Sequence, residues 1–309
     1  MKKEKKKVDK NQLYDSVRGN VFATVAAFVI TVSILFGFLL FRAGELGGKL
    51  VCEAAADSGT ETFVYDFSTR KKTLLWVDGY TDISRVTGYT GEGFYCCAKR
   101  EGQPYILSVK QGKAEYAFAA ERLPNDMTAL GESLYLLLGE AENGAVVRLQ
   151  PDTGEQTVLQ TGVYVPAGFA VSEDGLICAR FNGECLVWIV SSRDGEKQIL
   201  QSSADVSVLA FYGSAVYFQD RAAGRLFSVS SQTAERKEVA VLPAFAKAED
   251  GPQPLFAFSY ETDRHFICIS AGDTPLKMHV FLISGRFTMP IVPFGLTDKN
   301  KEIKSVRWI

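Results

Sequence analysis

The chain has 309 residues, 47% of them hydrophobic, enough to bury a sizeable core. With 21 Phe, 12 Tyr and 27 Gly but only two His, the composition leans toward β-structure broken by turns. The formal net charge is −2, yet the first 18 positions hold seven Lys or Arg against three acids, so the remainder is acidic and excludes a phosphate-neutralising nucleic-acid binder.

Lys2, Lys3, Lys5, Lys6, Lys7, Lys10 and Arg18 make residues 1–20 a basic tail. Val21 to Phe41, VFATVAAFVITVSILFGFLLF, then runs 21 residues without a charge. A helix of that length spans roughly 31 Å, the hydrocarbon thickness of a bilayer. Only Thr and Ser interrupt it, so the pattern predicts a transmembrane helix over 21–41. The run exceeds the roughly 7–15 apolar residues of a secretory signal. Phe41, Arg42 and Glu45 stand where cleavage would want small residues, and Cys52 lacks the small residue a lipoprotein site requires. The basic flank predicts a single-pass cell-membrane protein with a cytoplasmic N-terminus and an extracytoplasmic body, joined by a linker over 42–48. The lysine run is read as a topology signal, ahead of an anionic-lipid contact or a nucleic-acid arm.

After residue 42 helical periodicity disappears, and short apolar runs recur between Gly, Asp, Asn and Pro clusters. KLVCEAA (49–55), GFYCCAK (93–99), SLYLLLG (133–139), GLICARF (175–181), AVYFQDR (215–221) and RHFICIS (264–270) are versions of one strand. Taking Val51, Tyr95, Tyr135, Ile177, Tyr217 and Phe266 as equivalent, the spacings are 44, 40, 42, 40 and 49 residues. Each copy leads to a second strand such as AVVRL (145–149) or LVWIV (186–190), then a turn, then a third strand such as TLLWV (73–77) or TVLQ (157–160). A further strand precedes each copy except the first: ISRVT (83–87), MTAL (127–130), FAV (169–171), VSVLA (206–210) and LFAFS (255–259). The C-terminal IKSVRWI (303–309) is the spare that completes the first copy. The prediction is an all-β fold over 49–309: a six-bladed β-propeller of four-stranded antiparallel blades, closed by its C-terminal strand, rather than five or seven blades or an open sandwich. One four-stranded sheet cannot bury both its faces, and radial packing buries both.

The turn LQPDTGE at 149–155 and the apolar-Tyr-apolar-apolar strand starts resemble the TolB-like and quinoprotein-type six-bladed β-propeller superfamily over roughly residues 48–309. The resemblance implies the fold and leaves function open, since propellers host enzymes, scaffolds and receptors alike. Trp76, Trp188 and Trp308 fall at non-equivalent places, so the inter-blade tryptophan pattern of quinoproteins is absent and no cofactor is expected.

Three inner strands open on Asp-apolar-hydroxyl: DIS (82–84), DMT (126–128) and DVS (205–207). Asp82, Asp126 and Asp205 could ring one channel mouth and attract a cation or basic peptide, or serve locally by accepting backbone N–H groups where a turn becomes a strand. Arg85 and Arg307 fall on adjacent inner strands; pointing inward they make a spot for an anion, and outward they are surface charges. The connections PAFAKAEDGPQP (243–254) and TGVYVPAG (161–168), the latter carrying Tyr164, lie on one face, the expected surface for a protein or peptide partner. Cys52, Cys96 and Cys178 share one repeat position and Cys97 and Cys268 the next, a pattern of small hydrophobes packed between sheets. Cys178 and Cys185 are the best disulfide candidates: they face each other across a four-residue turn, or sit diagonally if Asn182-Gly183 alone turns the chain. A bridge between adjacent Cys96 and Cys97 would be strained.

His265 and His279 lie on successive strands without a carboxylate placed to complete a metal site, so no metal is expected. G-x-S-x-G, H-E-x-x-H and phosphate-loop patterns are absent, and no catalytic residue is assigned. The reading is a membrane-anchored extracytoplasmic binding or scaffold module for a protein, peptide or envelope ligand. The alternatives are a hydrolase or lyase working at the channel mouth, and a subunit of a membrane complex.

Overall fold

A computed structural model describes residues 49–241 except 57, 58, 67, 70 and 91, the segments 255–258, 266–269, 280–284, 287–291 and 303–308, and positions 21, 24–33 and 35. The chain divides into two compact units, Met1–Gly47 and Gly48–Ile309.

In the first unit every described position is helical. Thr31 donates its hydroxyl proton to the Ala27 carbonyl at 2.8 Å, which satisfies the hydroxyl without solvent. Val25, Phe28, Val29 and Val32 are all exposed. Among the described residues no helix is long and apolar enough to cross a membrane; parts of the predicted 21–41 span, including 36–41, lie outside them.

The second unit is a β-propeller. Its strands run in chain order: β1 (Lys49–Ala56), β2 (Gly59–Asp66) and β3 (Lys71–Leu74); β4 (Thr81–Thr87), β5 (Gly93–Arg100), β6 (Gln103–Lys110) and β7 (Lys113–Ala119); β8 (Asp126–Leu130), β9 (Ser133–Leu138), β10 (Gly144–Leu149) and β11 (Gln156–Val163). They continue with β12 (Phe169–Ser172), β13 (Gly175–Phe181), β14 (Leu186–Ser192) and β15 (Gly195–Ser202), then β16 (Val206–Tyr212), β17 (Ala215–Asp220), β18 (Arg225–Ser230) and β19 (Arg236–Val241). The last are β20 (Leu255–Phe258), β21 (Phe266–Ile269), β22 (Val280–Ser284), β23 (Phe287–Ile291) and β24 (Ile303–Trp308).

Blade 1 has the order β24-β1-β2-β3, so the C-terminal strand closes the N-terminal blade as the repeat predicts. Blades 2 to 5 are the consecutive sheets β4–β7, β8–β11, β12–β15 and β16–β19. The inner strands follow one another around the ring: β4 beside β8, then β12, β16, β20 and β24. The structure therefore has five complete four-stranded blades, not the predicted six. At the remaining place β20 pairs with β21 and β22 with β23 as two two-stranded sheets. β21 and β22 pack together, but no ladder joins them among the described residues.

A second departure concerns TLLWV, read as one strand over 73–77. β3 ends at Leu74; Leu75 N–H still donates to Thr62 O of β2 at 2.9 Å, and the chain then crosses to blade 2, where Asp78 N–H donates to Gly112 O at 3.0 Å. Leu75 and Val77 thereby join the core between blades 1 and 2.

The turn at 150–155 shows why the repeat is so legible. Gly154, at φ 73°, occupies a conformation that disfavours a Cβ. Its N–H reaches Gln150 O at 2.8 Å, and Gln150 N–H reaches Glu155 O at 2.9 Å. Along the strands the side chains alternate between faces, which sends neighbouring residues into different seams between blades. Cys96 packs with Val51, Val64 and Ile83 toward blade 1, and Cys97 with Met127 and Leu134 toward blade 3. Leu137 and Cys178 share the seam between blades 3 and 4. Ile177 joins Trp188, Phe211, Phe218 and Phe227 between blades 4 and 5.

Candidate functional site

The inner strands of blades 1, 2 and 3 bring charged side chains together. Arg307, on β24, crosses to blade 3, where its guanidinium donates to the Met127 carbonyl and the Asp126 carboxylate. Arg85, on β4, reaches the same place: its Nε donates to the Asn125 carbonyl at 3.3 Å and its Nη1 to Ser84 Oγ at 3.2 Å. Both arginines therefore point to the start of β8. They meet Asp126, which also accepts its neighbour Met127 N–H at 2.8 Å as a turn-to-strand cap. Glu53, on β1, accepts the backbone N–H of Arg85.

The three aspartates stand at the starts of the inner strands β4, β8 and β16, but their contacts differ. Asp82 turns toward blade 1, accepting Thr60 N–H at 3.0 Å and pairing with Lys99 Nζ at 3.0 Å. The Lys99 bond, and then the Thr60 bond, hold its carboxyl below the usual carboxylate range. Asp205 is exposed, and its carbonyl accepts Arg221 N–H at 3.2 Å. Tyr164 is half-buried. Its ring lies 5.6 Å from that of Phe181 and rests against the core between blades 4 and 5.

Backbone geometry explains why Asp82 and Arg85 diverge. Both have left-handed φ, 54° and 52°, and β4 pairs with β5 only at Thr81–Lys99, Ser84–Cys97 and Thr87–Tyr95. Two bulges in seven residues aim consecutive charges in different directions. For non-glycine residues that conformation is costly and persists only where surrounding bonds impose it. Here the Thr60, Glu53 and Asn125 bonds do so.

The cysteines act as core residues. Cys52, Cys96, Cys97 and Cys178 are buried free thiols, and Cys185 is a half-buried one. Cys178 and Cys185, the candidates for a disulfide, are both free thiols here. The hairpin pairs Phe181 with Leu186 and Cys178 with Ile189, so Cys185 falls inside the turn. The turn is set by Asn182, whose Oδ1 accepts Glu184 N–H at 3.1 Å and Cys185 N–H at 2.9 Å. Burial pushes the Cys97 and Cys178 thiols up to about 12 and raises Cys52 and Cys96 as well. These groups stay protonated and unsuited to nucleophilic work.

Among the described residues no group of three or more His, Cys, Asp or Glu is placed to hold a metal ion. His265, His279 and the connection 243–254 lie outside the described residues. The other connection, 161–168, forms the end of β11 and a short 3-10 turn, Val165–Ala167, on the predicted face. Sequence reasoning missed Glu53, Lys99 and Asn125. Glu53 had a signal: it is the one acid inside the apolar run KLVCEAAA. Lys99 and Asn125 had none, because their partners come from other parts of the chain.

No protein-family description matches the chain, and no curated protein matches its sequence. Solved structures do. TolB from Acinetobacter baumannii superposes with a TM-score of 0.61 at 12% identity, covering 84% of this chain, which spans only 66% of TolB. The nidogen/laminin complex gives 0.56 at 13% identity, covering 84% of this chain and 97% of the matched one. A protein from Lactobacillus plantarum gives 0.51 at 12%, covering 80% and 82%. The likeness is one of fold. Combined with the inner-strand network, it describes a ring whose central charges are bonded to one another across blades.

Proposed function

We propose that the protein is a membrane-tethered extracytoplasmic propeller that presents its loop face to a protein or peptide partner, as a binding or scaffold module. The observation that carries this reading is the bracing of that face. The connection after β11 is tied to the β9–β10 turn by Val165 N–H to Ala141 O at 2.7 Å. The connection before β8 is tied to the same turn by Asn125 Nδ2 to Gly139 O at 2.7 Å. In blade 5, Arg221 N–H reaches Asp205 O at 3.2 Å. Loops fixed before contact lose less entropy when a partner binds. The Arg85, Arg307 and Asp126 network lies at the centre of the ring and stiffens it from within.

Support for the tether comes from the uncharged run 21–41 with its basic flank and from the exposure of Val25, Phe28, Val29 and Val32 on the helix. A helix apolar on all sides needs a cover, which a bilayer supplies. The same reading takes β20–β21 and β22–β23 as two halves of a sixth blade, supported by the place of β20 between β16 and β24.

The test is photocrosslinking of the full-length chain in its own cells, with the crosslinker at Glu142 or Glu184 on the loop face and at Asp194 on the other. A defined partner captured from the first two positions and not the third is expected. Equal capture from all three, or none, defeats the reading. Protease shaving of intact cells tests the tether: the propeller must be cut from outside and the membrane fraction must retain the N-terminal piece.

A further inference from the structure

On the end of the propeller opposite the loop face, blade 2 carries a pocket of about 260 Å³. It is lined by Thr90, Glu92, Phe94, Tyr95, Lys110 and Glu115, with smaller neighbours between them. Phe94 is buried and Tyr95 half-buried, while Glu92, Lys110 and Glu115 are exposed. The aromatic part is fixed by close packing: a Cβ on Gly88 would sit 3.0 Å from the Tyr95 ring and 3.2 Å from Ala129 Cβ of blade 3. We propose that this pocket receives a single arginine side chain from a protein partner.

Size decides the first part of the assignment. Pockets for drug-sized ligands run to roughly 300–1,000 Å³, so this one suits one side chain. Chemistry decides the second. Glu92 and Glu115 line the pocket, and Glu132 and Asp152 of blade 3 lie close enough to act on the Tyr95 hydroxyl. Burial first, then Glu132, Asp152 and Glu115, raise the Tyr95 phenol above its ordinary value, so negative potential converges where a cation would sit. Among the described residues none of these four carboxylates has an ion-pair partner. Lys110 is the one cation in the lining. An arginine stem lies against the Tyr95 ring, its planar head stacks on the phenol and bonds carboxylates, and it is less strongly hydrated than an ammonium. A lysine head is a compact, strongly hydrated point charge that neither stacks on the ring nor bonds a carboxylate through two parallel N–H groups.

This pocket and the loop face lie at opposite ends of the ring, so either assignment can fail without the other. The test is a titration of the full-length protein with N-acetyl-Gly-Arg-Gly-amide, its citrulline counterpart and its lysine counterpart, read by saturation-transfer NMR. The arginine peptide is expected to bind most tightly, the lysine peptide more weakly and the uncharged citrulline peptide not at all. Glu92→Gln and Glu115→Gln should each weaken binding about threefold, and Lys110→Met should strengthen it by a similar factor. Added salt should weaken it. The proposal is overturned if the arginine peptide does not bind, if citrulline or lysine binds as well, or if the two glutamate variants and Lys110→Met leave the affinity unchanged.

Discussion

The seam between blades 4 and 5 and the seam between blades 1 and 2 solve one problem by opposite means. In the first, Trp188 is fully buried. Its ring meets Phe218 edge-on at 4.8 Å, and Phe218 stacks on Phe227 at 5.3 Å. The indole N–H is satisfied by Ser202 Oγ at 2.9 Å, and the Arg236 guanidinium covers the outer face of Phe227 at 3.8 Å. In the second, a core mostly of aliphatic residues and Cys96, with Phe94 buried in it and Tyr80, Tyr89 and Tyr105 packed at its edge, is supplemented by bonds that lock the bulged β4 onto blade 1. Asp82 reaches Thr60 N–H, Thr62 Oγ1 reaches Ile83 O and Glu53 reaches Arg85 N–H. The aromatic seam draws on area removed from water, which tolerates small displacements. The polar seam draws on geometry, since each of its buried groups costs free energy if left unmade. It adjoins the blade closed by the two chain ends, where register has to be fixed.

The largest expected effect breaks the aromatic seam. Trp188→Ala should cost about 3–5 kcal/mol, read by urea unfolding of the full-length chain followed by circular dichroism. A loss below about 1 kcal/mol would show that this seam is not a principal source of stability. The polar seam breaks by a different route. A Cβ on Gly59, at φ 135°, would lie 1.8 Å from Asp82 Oδ1. Gly59→Ala should therefore cost roughly 2 kcal/mol or more, and less when Asp82→Ala is already present, because the clash has gone and only the strain of the backbone conformation remains. Additive losses would refute the coupling.

Asp82→Asn sharpens the comparison by acid. The folded carboxyl is held below its ordinary value, so its stabilisation is present above the unfolded pKa, about 4, and is lost as pH falls through the lower folded value. The parent protein should lose stability on acidification below about pH 4, and Asp82→Asn should show a shallower loss. Asp66, lowered chiefly by its bond from Ser68, leaves a residual slope in both. An unchanged slope would remove Asp82 from the latch. Thiol labelling of the native protein should modify Cys185 first among the described cysteines, with Cys52, Cys96, Cys97 and Cys178 protected until unfolding; a Cys178–Cys185 bridge in the product would contradict the register. The smallest effect belongs to the exposed Arg122–Glu140 pair, 2.8 Å apart. Glu140→Gln should change stability by less than about 0.5 kcal/mol.

The strand order, the strand–turn–strand of 146–159 and the C-terminal closure were legible in the sequence. Alternation and Gly or Asn turns are local signals, and six related strands repeat them. The cysteine pattern was legible for the same reason: period-two alternation sends Cys96 and Cys97 to different seams. The hairpin register at Cys178 was not legible, because one Asn182 side chain moved the turn toward the C-terminus. The site residues divide along the same line. Asp126 as a strand cap could be read from its neighbours, but its bond to Arg307 spans 181 positions.

The sequence by itself determined the class of fold, its repeat, the closing strand and an uncharged N-terminal run long enough for a bilayer, because hydrophobic period and turn chemistry act over a few residues. Only the tertiary structure decided where Asp82, Arg85, Arg307 and Glu53 point, that five blades have four strands, and that Glu115 of blade 2 and Glu132 of blade 3 both raise the Tyr95 phenol. Those outcomes depend on bulges and on packing between blades, which join residues far apart in the chain and leave no local mark.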